Sequence, residues 1–330
     1  MNRMIASAPG KLIVCGEYAV LDGAAAICAA VDRRAVVTVE AADDSYHVVT
    51  APGFASGSGA FRANEAGMTW LEDAPEYTLF EHVWRRSLPV PDSPRQFILD
   101  TRSFRGAEGE AKIGIGSSAA LTVALATALE ALGGSKAEKV AGPAHRDFQH
   151  GKGSGVDIAC SQSGGVIAFR RGDRSVEKIG WPDDLYYAIY WSGVAADTRD
   201  KIERYANVPG KESRAELAAS ANDCATAFES GKSAGILDAL RDYCAVLRHF
   251  DKDHELGIYG AGHAVMAEAA AGSDAVYKPC GAGGGDVGIA LAASAESLAS
   301  FAGIAAESGF ERLDISIDAR GPMLEKNERP

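Results

Sequence analysis

A run of small residues at positions 112–121 has the composition of a phosphate-binding turn. It reads Lys-Ile-Gly-Ile-Gly-Ser-Ser-Ala-Ala-Leu, and helix-forming residues continue to position 132. Backbone N–H groups and the positive dipole end at a helix N-terminus bind anions, and glycines let a ligand approach the backbone closely. The serine hydroxyls can cap the helix or bind Mg²⁺. The run therefore predicts a phosphate site, with a plain serine N-cap as the structural alternative.

Three other nucleotide-binding motifs fit the sequence less well. The letters also fit the dinucleotide fingerprint G-x-G-x-x-A, but that motif needs a second strand ending in an acidic residue, and positions 133–138 are polar with no apolar strand after them. The sequence contains no Walker A motif, G-x-x-x-x-G-K-S/T. His145-Arg146-Asp147 resembles the start of a protein-kinase catalytic loop, but Lys152 replaces the metal-binding Asn and no Asp-Phe-Gly occurs. A Rossmann oxidoreductase, a Walker A kinase and a protein kinase are therefore disfavoured.

Two further glycine-rich loops carry groups that could act on a phosphate. Positions 278–286 read Lys-Pro-Cys-Gly-Ala-Gly-Gly-Gly-Asp, which suits close passage of the backbone past a ligand better than a core or a tight hairpin. Positions 151–157 read Gly-Lys-Gly-Ser-Gly-Val-Asp and end in the carboxylate of Asp157. Taken alone, Asp157 is a typical turn or cap residue, and Lys11 in Pro9-Gly10-Lys11 is a typical solvated lysine. Their interest depends on whether the fold brings them together.

The elements that must position these loops form an α+β pattern. Strands are predicted at 5–14, 24–39, 97–99, 111–113, 165–169, 186–191, 275–277, 287–291 and 313–317. Helices are predicted at 119–132, 213–230, 234–250, 255–271 and 294–308, with a capping box starting at Ser213. Positions 52–64 and 89–94 have the composition of loops, and 170–184 is the expected crossing between two halves.

Composition limits the classes of partner. The chain has 330 residues, 47% of them hydrophobic, and 33 Lys+Arg against 45 Asp+Glu give a net charge of −12. Such a charge argues against a nucleic-acid surface or an anionic-membrane footprint. The N-terminus lacks the apolar core of a signal peptide, no membrane span is evident, and the six scattered cysteines form no C-x-x-C pair. We expect a soluble cytoplasmic enzyme with reduced, mostly buried thiols, acting as a monomer or a homodimer.

The three loops, in this order and behind the opening Ala-Pro-Gly-Lys-Leu-Ile-Val-Cys-Gly-Glu-Tyr-Ala-Val-Leu at 8–21, resemble the GHMP kinase superfamily over nearly the whole chain. The resemblance implies an α+β fold with a ribosomal-protein-like N-terminal α/β domain at 1–180 and a ferredoxin-like C-terminal domain at 181–330. It also implies a kinase with its active site in the groove between them, using ATP and Mg²⁺.

Details within the superfamily are similar to phosphomevalonate kinases. These are the opening Glu-Tyr-Ala-Val-Leu, the Ala144-His145 pair, the Trp-Ser-Gly turn at 191–193 with Asp-Thr at 197–198, and Asp286 after the last glycine loop. Mevalonate kinases tend to carry a metal-binding Glu eleven residues before the catalytic Asp, where this chain has Arg146. The implied acceptor is phosphomevalonate. Mevalonate kinase, an ATP-consuming decarboxylase of the mevalonate pathway, or a non-catalytic relative remain alternatives.

The resemblance also implies roles for individual residues. Lys11 and Asp157 would be catalytic, and Ser118 would bind Mg²⁺. Lys152 and Arg199 are candidate cations for the acceptor only because they lie near motif positions, and Arg199 could equally be a helix-surface charge. Nucleotide phosphates would contact Gly114, Ile115, Gly116, Ser117, Ser118 and Ala119. The acceptor would contact Lys11, Tyr18, His145, Ser154, Ser192, Gly281, Ala282 and Gly283.

Overall fold

Strands and helices are mixed along the chain, as the sequence predicts. The computed structural model describes residues 3–64, 67–89, 93–106, 111–172, 175–196, 198–207 and 212–327. Within them the strands are β1 (Arg3–Cys15), β2 (Ala25–Ala41), β3 (His47–Thr50), β4 (Ser58–Asn64), β5 (Gly67–Trp70), β6 (Arg95–Asp100), β7 (Val166–Arg170), β8 (Ser175–Ile179), β9 (Tyr186–Trp191), β10 (Val276–Pro279), β11 (Val287–Ala292), β12 (Glu311–Leu313) and β13 (Met323–Asn327). The helices are α1 (Thr78–Arg86), α2 (Ser117–Ala131), α3 (Ala137–Phe148), α4 (Val156–Ser163), α5 (Thr198–Asn207), α6 (Glu212–Ser230), α7 (Ser233–His254), α8 (His263–Ala271) and α9 (Ala295–Glu307).

The larger sheet is organised around β2. Its main path runs β13-β1-β2-β6-β3-β4-β5, and β7 pairs with both β2 and β8. The first half of β2 pairs with β7 and its second half with β6, so one long strand serves two neighbours on the same edge. Pairing is antiparallel except between β3 and β6. The sheet therefore fixes β1, which carries Lys11, from both sides.

Helix α2 packs along β1 and β2. It is mostly apolar around its circumference, and every residue from Ala119 to Ala126 is buried, as are Ala128 and Leu129. A helix that is hydrophobic around its whole circumference is stable only when surrounded by protein. The N-terminus of α2 is thereby held rigidly beside β1, where the first glycine loop ends.

The smaller sheet, in the order β10-β11-β9-β12, is covered on both faces. Ile189 and Ile289 point into the core that contains α6 and α7, whereas Ala188, Tyr190 and Ala290 point into a second core with α8 and α9. This alternation follows from the two-residue period of a strand. Sandwiching the sheet between two helix pairs fixes the strand ends from which the third glycine loop emerges.

Several predicted boundaries were wrong. The predicted loop at 52–64 contains β4, because Phe61 is fully buried against Trp70 and Trp84 although its neighbours are Gly, Ser and Ala. The predicted strand at 111–113 makes only one isolated bridge, between Lys112 and Arg105. The predicted crossing at 170–184 contains β8, which pairs with β7.

Other differences lie in the second half. The helix predicted from 255 starts at His263, and the strand predicted at 313–317 is confined to Glu311–Leu313. Ser213 is not an N-cap, since α6 begins before it at Glu212, and its hydroxyl donates to Asp253 of α7 at 2.5 Å. Four helices, α1, α3, α4 and α5, and three further strands, β3, β5 and β13, were not predicted. Positions 90–92 of the predicted loop at 89–94 lie outside the described residues.

Strand β13 brings the end of the chain back to the larger sheet, where it pairs with β1. The boundary at 180/181 stays a prediction. None of the helices that the structure describes is long and apolar enough to cross a membrane. The six cysteines are free thiols, and five are buried.

Candidate active site

The first glycine loop has the predicted geometry of an anion site. Gly114 and Gly116 have φ angles of 88° and 81°, a left-handed conformation that favours glycine, and α2 begins at Ser117. No side chain caps this helix, so its first backbone N–H groups keep their capacity to bind an anion. Lys11 holds the loop in place, because its backbone N–H donates to the carbonyl of Ile115 at 2.9 Å.

The side chain of Lys11 lies across this loop. A Cβ placed on Gly116 would be 2.8 Å from Lys11 Cγ, so the absence of a side chain at that position is what admits the lysine. Lys11 is partly buried and lines a cavity of about 140 Å³. The structure therefore places an ammonium group beside the turn that is suited to phosphate.

Asp157 faces the same cavity from the start of α4. Gly155 precedes the helix with a φ of 88°, and Asp157 Oδ1 accepts a hydrogen bond from the backbone of Ile158 at 2.9 Å. Ser154 also lines the cavity, and its Oγ accepts from the N–H of Val156 at 3.3 Å. The Asp157 carboxylate therefore both forms a hydrogen bond at the start of α4 and borders the cavity.

His145 joins two of the predicted residues through its ring. Its Nε2 lies 3.1 Å from Ser118 Oγ and its Nδ1 lies 3.6 Å from Asp157 Oδ2. Only 1% of the residue is exposed, and it borders a neighbouring cavity of about 620 Å³. The ring lies between the phosphate loop and the carboxylate.

The third glycine loop forms the opposite wall. Gly281 and Ala282 line the cavity, and Tyr18 donates its hydroxyl proton to the carbonyl of Ala282 at 2.7 Å. Gly283 lies behind this wall, where a Cβ would be 2.5 Å from the carbonyl oxygen of Ile258. Glycine at position 283 is therefore required by space as well as by its φ of 67°.

Asp286 ends the loop and contacts the first glycine loop. A Cβ on Gly114 would be 2.3 Å from Asp286 Oδ2, so the two loops touch directly. Burial raises the pKa of Asp286, although a hydrogen bond from Ala196 and the nearby ammonium of Lys11 favour its ionised form. The cavity therefore contains a second carboxylate besides Asp157.

The structure does not bring every predicted residue to the cavity. Of the first glycine loop, Gly114 lines the cavity, and the predicted contacts that do not line it are Ile115, Gly116, Ser117, Ser118, Ala119, His145, Ser192 and Gly283. The Ser192 hydroxyl is turned towards the carbonyls of Val194 and Asp286. Lys152 forms an ion pair with Glu203. Asp197 and the side chain of Arg199 lie outside the described residues.

Sequence reasoning missed a buried ion pair under the cavity. Lys278 is fully buried and pairs with Glu17, which is 2% exposed and lines the cavity. Glu17 also accepts a hydrogen bond from the Tyr243 hydroxyl at 3.2 Å. No local signal marks this pair, because a lysine beside a glycine-rich loop has the pattern of a surface residue.

Oxygen ligands suited to a divalent cation are present but sparse. The described residues contain no group of three or more His, Cys, Asp or Glu side chains placed to hold a metal. The hydroxyl of Ser118, at the start of α2, and the carboxylates of Asp157 and Asp286 are hard oxygen donors of the kind Mg²⁺ prefers. These residues fit a cation that takes most of its ligands from phosphate oxygens and water.

Solved structures share this fold. The Lin0012 protein from Listeria innocua superposes with a TM-score of 0.86 at 21% identity, covering 99% of this chain and 100% of that chain. The Streptococcus pneumoniae phosphomevalonate kinase in complex with phosphomevalonate and AMPPNP has a TM-score of 0.77 at 21% identity, with coverages of 95% and 99%. Lactococcus lactis galactokinase complexed with galactose has a TM-score of 0.73 at 15% identity, with coverages of 97% and 95%. The fold is that of the GHMP kinases, as predicted.

Sequence similarity to curated proteins identifies a family within the GHMP kinase fold. The chain is 30% identical over 342 residues to the phosphomevalonate kinase of Streptomyces sp. strain CL190, covering 88% of this chain and 90% of the relative. The mevalonate kinase of Aeropyrum pernix is 30% identical over 218 residues, with coverages of 62% and 61%. No protein-family model matches the chain. The chain belongs to the phosphomevalonate kinase family, and its predicted class, a phosphotransferase, is confirmed.

Proposed function

We propose that this chain transfers the γ-phosphoryl group of ATP to (R)-5-phosphomevalonate and releases 5-diphosphomevalonate and ADP. The observation that carries the proposal is that Lys11, Asp157 and Gly114 of the first glycine loop line one cavity together with Gly281 and Ala282 of the third glycine loop. The Streptomyces relative and the ligands of the pneumococcal structure support the choice of acceptor and nucleotide.

The nucleotide end is assigned to the first glycine loop. The γ- and β-phosphates would bind the backbone N–H groups from Gly114 to Ser118, and the dipole of α2 would offset part of their charge. Mg²⁺, held by the Ser118 hydroxyl and the phosphates, would neutralise further charge on the transferring group. Lys11, which crosses this loop, is placed to stabilise the same negative charge.

The acceptor end is assigned to the wall formed by Tyr18, Ser154, Gly281 and Ala282. Asp157 would orient the attacking phosphate oxygen and take its proton when the acceptor arrives as a monoanion. Ser192 and Gly283 would support this wall from behind. Closing the loops around the acceptor excludes water, which would otherwise hydrolyse ATP.

The acceptor is tested by ADP release from the purified protein with ATP and Mg²⁺. Phosphomevalonate, mevalonate, diphosphomevalonate, homoserine and galactose are compared in parallel, and CO₂ is measured with diphosphomevalonate. We expect turnover with phosphomevalonate. Turnover with mevalonate instead, or CO₂ release, would replace the proposed substrate while leaving the fold and the phosphate loop intact. ATP binding without transfer to any acceptor would indicate a non-catalytic relative.

The chemistry of the acceptor predicts different losses of kcat for substitutions at Lys11 and at Asp157. A phosphomonoester has a second pKa near 6 and is mostly a dianion at pH 7, so charge neutralisation matters more than a strong base. We expect Lys11→Ala to lower kcat more than Asp157→Asn does, by at least about tenfold. The exposed Lys139 of α3 supplies the matched control, since Lys139→Ala should leave kcat unchanged. Equal or reversed losses would contradict this division of roles.

A further inference from the structure

His145 stands apart from the other predicted acceptor contacts. It lies in the last turn of α3, is 1% exposed, and is absent from the lining of the cavity that contains Lys11 and Asp157. Its two ring nitrogens nevertheless face Ser118 and Asp157, which belong to α2 and α4. One buried side chain therefore contacts both the phosphate loop and the carboxylate on the acceptor side.

The surroundings favour one arrangement of protons. A neutral imidazole carries a single N–H, and placing it on Nδ1 directs the proton towards the Asp157 carboxylate, whereas a lone pair there would be repelled. In that tautomer Nε2 has a lone pair that can accept the hydroxyl proton of Ser118, whose oxygen is 3.1 Å away. A serine oxygen whose proton is already donated keeps its lone pairs for another ligand. In this arrangement the lone pairs of Ser118 Oγ are available to a cation or to a hydrogen-bond donor.

The same contact restricts Asp157. Its Oδ1 is held by the backbone N–H of Ile158, and its Oδ2 is the oxygen that faces His145. A carboxylate with one oxygen hydrogen-bonded to the backbone and the other 3.6 Å from a buried ring has a restricted orientation before the acceptor binds. Neither contact is available from the local sequence, because His145 and its two partners are on three different helices.

We propose that His145 is a positioning residue that couples the phosphate-loop hydroxyl of Ser118 to the orientation of Asp157. The inference rests on the proposed function for the identity of the two substrates, but not for the geometry of the three side chains. In this role His145 contacts neither substrate. Its loss should therefore affect the rate of transfer and the contribution of Mg²⁺ to nucleotide binding more than the affinity for the acceptor.

The test compares His145→Phe, which keeps a ring but removes both nitrogens, with His145→Gln, which can still accept the Ser118 proton. Partners that orient functional groups typically contribute about 10- to 100-fold. We expect His145→Phe to lower kcat by that range while the KM values for ATP and phosphomevalonate stay within about threefold. His145→Gln should recover a measurable part of the loss.

A binding measurement separates this role from the proposed activity. AMPPNP binding is measured by calorimetry with and without Mg²⁺. His145→Phe should reduce the gain in affinity that Mg²⁺ provides while leaving binding without Mg²⁺ unchanged. His47, a second buried histidine, lies on β3 away from the cavity. The matched control His47→Gln should alter neither kcat nor the Mg²⁺ dependence, even where it lowers thermal stability.

Two outcomes would overturn the proposal. Wild-type kcat and Mg²⁺ dependence in His145→Phe would show that the buried ring has no positioning role. A raised KM for phosphomevalonate with unchanged kcat would show that His145 contacts the acceptor. If phosphomevalonate is not the acceptor, the same comparison is made with the acceptor that is turned over. Failure of the proposed function is then distinguished from failure of the positioning role of His145. If His145→Phe does not fold, the same split in His145→Gln decides.

Discussion

Replacing Lys278 by methionine should reveal the energetic role of the buried ion pair with Glu17. Burial raises the pKa of Glu17, and the ammonium of Lys278 offsets only part of that effect. Burial alone would lower the pKa of Lys278, but the Glu17 carboxylate more than compensates and keeps it above its usual range. With Lys278→Met, the carboxylate loses its counter-charge in a site that is 2% exposed, and we expect it to take up a proton on folding.

The expected magnitude follows from the proton that must be bound. Glu17 has an ordinary pKa of 4.5. Protonating it at pH 7.5 costs about 4 kcal/mol, because each of the three pH units corresponds to about 1.4 kcal/mol. At pH 5.5 the same step costs only about 1.4 kcal/mol. The variant binds more protons when folded than when unfolded, so its stability relative to wild type should fall as the pH rises.

Urea unfolding followed by circular dichroism at pH 5.5, 6.5 and 7.5 measures this dependence. The exposed substitution Lys139→Met is the control for removing a lysine charge, and it should cost less than about 0.5 kcal/mol at every pH. A loss below about 1 kcal/mol at pH 7.5, or an equal loss at all three values, would refute the reasoning. Either result would mean that water or another cation reaches Glu17 when Lys278 is absent.

Three further outcomes are expected. Gly114→Ala should lower kcat by at least about tenfold, because the new methyl group would overlap the side chain of Asp286 at a φ of 88°; steady-state kinetics measures this. Burial lowers the pKa of His263 to about 4. Wild type should therefore lose roughly 2 kcal/mol of stability between pH 7 and pH 5, and His263→Gln should not show this loss; urea unfolding measures both. Tyr18→Phe removes the hydrogen bond to the third glycine loop and should cost about 1 kcal/mol in thermal unfolding and raise the KM for phosphomevalonate.

The sign of the His263 effect follows from linkage. The unfolded imidazole titrates near 6.5, whereas the folded group stays neutral until about pH 4. The stability it contributes is present above the unfolded pKa and is lost as the pH falls towards the folded value. Its Nε2 donates to the carbonyl of Gly285 at 2.9 Å in both protonation states, whereas its Nδ1 can accept from the Tyr277 hydroxyl, 2.7 Å away, only when the ring is neutral.

The sequence by itself determined the parts of the site that depend on the backbone. Glycines at 114 and 116 followed by a long apolar run predict a turn at a helix N-terminus, and the structure has a positive-φ turn that leads into the uncapped start of α2. The third loop was recognised for the same reason, since Gly and Ala in succession cannot form a core. These features are local, because they depend on the φ angles and side-chain volumes of neighbouring residues.

Only the tertiary structure decided which side chains act together. Lys278 has the local pattern of a surface lysine, yet its partner Glu17 lies at the other end of the chain and both are buried. His145 became a link between two loops because α2, α3 and α4 pack against one another. Strand β13 has no strong strand pattern and is held by pairing with the edge of β1. Each of these contacts joins segments far apart in sequence, so its energy depends on burial and distance, which the fold supplies.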